Sequence, residues 1–129
     1  MASATLLNDA GFEARIIALP GEDHDFTECK VNGTWMVIDP GYGYTAPVSR
    51  QERANARLEE MGAISYVIAY NGSNFTELTS QYVTTDSITI KITNQGKPLP
   101  NAEVYLTHEF RGRIVRLPDT GMFLQMRQA

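Results

Sequence analysis

The sequence predicts an α+β fold, an antiparallel sheet with helices, followed by part of an antiparallel β-sandwich. Three observations predict it. Two stretches with helix-stop residues, ending at Gly11 and Gly62, alternate with runs rich in Ile, Val and aromatic residues. Asn32-Gly33, the strongest short hairpin signal, separates two such runs. From Asp86 onward, short strand-like runs are punctuated by Gly and Pro.

The elements follow in order. Ser3 to Ala10 is helical in pattern, with Leu6, Leu7 and Ala10 as its apolar stripe and Gly11 as a left-handed stop. A helix of barely two turns rarely nucleates alone, so it reads as the tail of a longer one. "EARIIALP" is a strand closed by Pro20, "GEDHD" an acidic turn, and "HDFTECKVNGTWMVIDP" a hairpin about Asn32-Gly33. "PGYGYTAPVS" is a loop by its Gly and Pro content. Ser49 and Glu52 form a capping box for a helix over Arg50–Met61, with Ala54, Leu58 and Met61 as its expected buried face. "AISYVIAY" is a strand with too little polar alternation to be half exposed, and "NGSNFTELTSQY" is loop-like. "DSITIKIT", "AEVYLTH", "GRIVRLP" and "GMFLQMRQ" are the strands of the sandwich part. The boundary falls near Thr84–Asp86, giving units 1–84 and 85–129.

Composition narrows the function. The net charge of −4, with no dense basic run, argues against nucleic acid as a partner. A single Cys makes no internal disulfide, and the absence of a C-x-x-C pair argues against structural zinc. Consecutive Glu22-Asp23-His24-Asp25 is a poor metal site, because adjacent residues seldom converge on one ion, so no cofactor or metal is expected. No apolar run reaches the roughly 18–20 residues that span a bilayer, so no membrane insertion is expected.

Hairpin register supplies the candidate site. A two-residue turn at Asn32-Gly33 puts Glu28 opposite Val37 and Phe26 opposite Asp39. His24, Phe26, Glu28, Trp35, Val37 and Asp39 then share one face. His24 lies diagonal to Asp39 at a Cβ separation of about 7 Å, within reach of a side-chain hydrogen bond. A carboxylate there would fix the imidazole tautomer and stabilise the imidazolium. Cys29 has the opposite parity, with Val31, Met36 and Ile38, so it reads as a small buried hydrophobe.

These residues resemble the transglutaminase-like superfamily, a branch of the papain-like thiol enzymes. His24, Phe26, Glu28, the Asn32-Gly33 turn, Trp35 and Asp39-Pro40 stand in the order and spacing of that family's motif. "LLNDAGFEARII" is similar to its helix ending at Gly before a strand with Ala-Arg, and "ITIKITNQGKPLPNAEVYLT" to Ig-like or carboxypeptidase-regulatory-like sandwich modules. The resemblance implies the C-terminal part of a transglutaminase-like core, with catalytic His24 and Asp39, acting on peptide or glutaminyl amides. In the family the nucleophilic Cys begins the helix that here ends at Gly11, a position before Met1. The chain is therefore expected to keep the acid–base half of the triad and to be inactive alone. The alternative is a non-catalytic surface or extracellular interaction module on a degenerate core of this kind.

Location leans outward on three glycosylation sequons, at Asn32, Asn71 and Asn74. Leu6, Leu7, Phe26 and Trp35 at one end, and Ile114, Met122 and Leu124 at the other, are expected to leave apolar surface open and to favour self-association.

Overall fold

The computed structural model describes residues 2–62, 64–86, 89–104, 107–110 and 113–116. Its centre is a six-stranded antiparallel sheet in the order β4-β3-β2-β1-β5-β6. These are β1 (Ala14–Leu19), β2 (His24–Val31), β3 (Thr34–Ile38), β4 (Val48–Ser49), β5 (Ile68–Asn71) and β6 (Asn74–Glu77). The helices are α1 (Ala2–Asp9), α2 (Arg50–Met61) and the single turn α3 (Thr79–Tyr82). Mixed helix and antiparallel sheet is the expected α+β class. Among the described residues no helix is long and apolar enough to cross a membrane.

Local chemistry sets the element ends. Phe12 N–H bonds back to Leu7 O across Gly11 at φ 92°, which closes α1. The Asn8 amide both donates to Ala14 O and accepts from Ala14 N–H, at 3.0 Å each, tying the helix end to the first strand. Ser49 Oγ accepts from Glu52 N–H at 3.0 Å to start α2, and Gly62 ends it in the left-handed region. β2 and β3 pair with Val31 opposite Thr34, so Asn32 and Gly33 are the whole turn, both at positive φ as a type I′ turn requires.

The core lies on the face of the sheet toward α2 and α3. Ile17, Leu19, Phe26, Val37, Val67 and Ala69 meet Ala54, Leu78 and Tyr82 there. Phe26, expected at an open face, is buried. Trp35 is half-buried, with the Arg15 guanidinium 4.1 Å from its ring centroid. Leu6 is exposed, as expected.

α2 departs from its expected face. Ala54 is buried, but Leu58 is exposed and Met61 only partly covered. Arg53 and Arg57 point inward instead. The reason is electrostatic: carboxylates wait beneath the helix, and a guanidinium fills the space an apolar side chain would otherwise take. Arg57 pairs with Glu22 at 2.7 Å, and Arg50 with Glu28 at 2.6 Å.

Several segments differ in extent from the sequence reading. The strand expected from Ala63 pairs only from Ile68, because Val67 N–H bonds to Thr79 Oγ1 and Val67 O accepts from Leu78 N–H. The stretch read as a loop contains β6, which pairs with β5 through a two-residue Gly72-Ser73 turn. Beyond residue 85, β7 (Thr93–Asn94) pairs with β8 (Lys97–Pro98), and β9 (Thr107–Phe110) with β10 (Arg113–Arg116), as separate two-stranded ladders; 89–92, expected within a strand, are in none, and β8 lies in the stretch read as a separator. The strand expected over 121–128 lies outside the described residues.

Glu28 is the most heavily partnered carboxylate on the core face. It is fully buried and accepts from Arg15 at 3.0 Å, Arg50 at 2.6 Å and the Tyr82 hydroxyl at 2.5 Å. Burial alone would raise its pKa, but the Arg50 and Tyr82 hydrogen bonds and the charges of Arg50 and Arg15 outweigh it and hold the carboxyl below its ordinary value of 4.5. A depressed folded pKa means that the stability Glu28 contributes is fully present above 4.5 and is lost as pH falls through the lowered folded value. Glu28→Gln should therefore destabilise the fold by about 3 kcal/mol, at the lower end for a broken buried pair because Arg15 and Arg50 keep some solvent contact. Urea unfolding at neutral pH checks this. The gap between wild type and variant should shrink in acid, and a pH-independent gap would contradict the assignment.

Candidate active site

His24 opens β2 directly after Asp23, which takes a left-handed conformation (φ 52°) and turns the chain into the strand. Asp39 follows the last residue of β3, where Pro40 starts a short 3-10 turn over Pro40–Tyr42. The turn before His24 is pinned from below: Gly21 N–H donates to Ser65 Oγ at 2.9 Å, and Glu22 accepts from Ser65 N–H and from Arg57. Both candidate residues thus sit at one end of the hairpin, opposite its turn.

The register brings them together. His24 Nε2 is 3.0 Å from Asp39 Oδ1 and 2.9 Å from Oδ2. A carboxylate only accepts, so the imidazole proton resides on Nε2 and the Nδ1 lone pair is left as the base. Among the described residues nothing hydrogen-bonds to Nδ1. The His24 side chain is 28% exposed while that of Asp39 is 1% exposed, so the imidazole meets solvent and the carboxylate does not. Gly41 lies alongside: a Cβ built there would come 3.5 Å from His24 Cε1, in ordinary contact.

Arg53, which sequence reasoning missed, completes the cluster. Its Nε donates to Asp39 Oδ2 at 3.0 Å, and both side chains are 1% exposed. The signal that could have found it was a carboxylate at a buried register position, which demands a cation, and a helix with arginines at 50, 53 and 57.

Other residues of the acidic turn go elsewhere. Glu22 serves Arg57 and Ser65, and Asp25 is exposed on the opposite side of β2. Among the described residues no group of three or more His, Cys, Asp or Glu could hold a metal ion.

Cys29 lies opposite Met36 and Ala14 on the face away from His24, 2% exposed. Burial pushes its thiol pKa up, which disfavours the reactive thiolate. A disulfide thiol reagent should label the native chain at least about a hundredfold more slowly than the urea-unfolded chain, the protection following from exclusion of the thiol from solvent. Equal labelling rates would show the thiol open to attack.

Compared with known proteins, the chain matches no family model, no curated protein and no solved structure.

Proposed function

We propose that His24 and Asp39 are the acid–base pair of a transglutaminase-like thiol acyl-transfer site acting on peptide or glutaminyl amides. The observation that carries this is the bond from His24 Nε2 to a buried carboxylate, with Nδ1 unpartnered among the described residues and toward solvent. In that reading Nδ1 takes the proton of an attacking thiol, and the thiolate adds to the amide carbonyl. His24 then gives the proton to the leaving amine as the C–N bond breaks, leaving an acyl thioester. Asp39 keeps the ring in one tautomer and balances the imidazolium. Transfer of the acyl group to water or to an amine repeats the steps in reverse, with Nδ1 again the base.

Cys29 cannot be that thiol, since its side chain is on the other face of the sheet. The nucleophile has to reach Nδ1 from outside residues 1–129, and the chain by itself is expected not to turn over amides. The pair can be tested without the native nucleophile by supplying a small thiol. With the γ-p-nitrophenyl ester of a glutamyl peptide, thioester should form at least about tenfold faster on the wild-type chain than on His24→Ala. That is below the ~10²–10⁴-fold of a positioned general base, because a free thiol is not held in place. Asp39→Asn should fall between the two, and no chain should release ammonia from the parent glutaminyl peptide. Equal thioester rates for wild type and His24→Ala would reject the acid–base assignment and favour a non-catalytic role for this face.

A further inference from the structure

The Arg53 guanidinium is bound in a way that a simple neutralising ion pair does not explain. An arginine that only compensates a buried carboxylate does best side-on, with two parallel N–H bonds. Arg53 gives Asp39 one bond, from Nε, at 3.0 Å. Its Nη1 and Nη2 are buried and have no hydrogen-bond partner among the described residues. Leaving such donors unpaired is costly in a buried site.

Aromatic rings lie against the guanidinium instead. The guanidinium carbon lies 4.0 Å from the Tyr42 ring centroid and 5.5 Å from that of Phe26. Both are cation–π distances, and a desolvated pair of this kind is worth about 2 kcal/mol. Tyr42 is itself fixed: its hydroxyl donates to Glu60 at 2.5 Å and its N–H to Asp39 O at 3.1 Å. The turn that begins at Asp39 therefore folds its own aromatic residue over the arginine that holds Asp39.

We propose that Arg53, stacked on Tyr42, is the positioning residue of the His24–Asp39 pair. A single bond from Nε to Oδ2 locks the carboxylate rotamer while leaving both oxygens within reach of His24 Nε2, at 3.0 and 2.9 Å. A two-bond clamp from Nε and Nη would engage both carboxylate oxygens and compete with His24 for them. Rings lie against the guanidinium, and its Nη groups bond to nothing among the described residues, Asp39 included. The consequence is an imidazole whose Nε2–H is held toward Asp39, with Nδ1 presented as the base. The inference rests on the acid–base reading of His24, but its test does not require turnover.

The ring nitrogens of His24, observed by 15N NMR where the imidazole is neutral, report the tautomer directly. The wild-type chain should show Nε2–H alone. Arg53→Met keeps the apolar stem and removes the clamp; with the amide spectrum otherwise retained, an Nδ1–H population should appear. Arg53→Lys, which restores a charge but not the planar Nε donor, should recover part of the wild-type pattern. Tyr42→Leu keeps the backbone bond from residue 42 to Asp39 O and removes only the ring against Arg53, and should shift the tautomer in the same direction as Arg53→Met, by less. A folded Arg53→Met with an unchanged single tautomer would overturn the proposal, leaving Arg53 a neutralising charge only. If Arg53→Met does not fold, an unchanged tautomer in Tyr42→Leu overturns it equally. A wild-type ring protonated at Nδ1 would instead reject the acid–base reading itself.

Discussion

α2 is held to the sheet by a row of buried and half-buried arginines, and the position of every other element on that face follows from it. Arg50, Arg53 and Arg57 stand on one side of the helix and meet Glu28 in β2, Asp39 after β3 and Glu22 in the β1–β2 turn. Each acid comes from a different part of the sheet, so the helix can sit in only one place and satisfy all three. Removing one partner of such a buried pair costs about 3–5 kcal/mol, more than the roughly 1.5–3 kcal/mol from burying one large apolar side chain. Leu58 can therefore stay exposed without the helix rolling to cover it. The apolar cluster of Ile17, Phe26, Val37 and Tyr82 fills the space between the ion pairs. Charge complementarity sets the alignment and hydrophobic burial supplies the bulk of the drive.

The same arrangement gives the two carboxylates of the hairpin different lives. Glu28 is saturated by Arg15, Arg50 and Tyr82, so it has no capacity left for chemistry. Asp39 has a single arginine bond and keeps its remaining capacity for His24. Two acids on one face of one hairpin are thus separated into a structural and an orienting group by the number of cations each receives. That difference supports reading His24–Asp39, rather than Glu28, as the chemical centre.

Much of this was legible in the sequence because it rests on short-range rules. The type I′ turn at Asn32-Gly33 fixes strand parity, and parity alone placed His24, Phe26, Glu28 and Asp39 together and Cys29 apart. Ser49, Glu52 and Gly62 marked the limits of α2 through bonds to neighbours within four residues. What was not legible depends on partners distant in the chain. Arg53 and Arg57 look like a solvated helix face until the buried carboxylates of the sheet are placed under them. β6 was hidden because Asn74, Thr76 and Glu77 lack an apolar face; as an edge strand with one neighbour, it needs none. The strand expected from Ala63 was shortened by Thr79 and Leu78, which take the backbone groups of Val67 away from the ladder.

The placement of His24 and Asp39 at the two free ends of one hairpin has a kinetic consequence. Only fifteen residues of chain separate them, and hairpins of this kind close in about 1–10 μs. The pair can meet before the helix docks, at a stage when both side chains are still wet and mobile. Arg53 belongs to α2, so its bond to Asp39 exists only with the helix docked. The two contributions differ in origin: proximity comes from local chain closure, rigidity from a tertiary contact. A loosened α2 would leave the two groups adjacent but no longer fixed, so the order lost on partial unfolding would be in orientation before it was in distance.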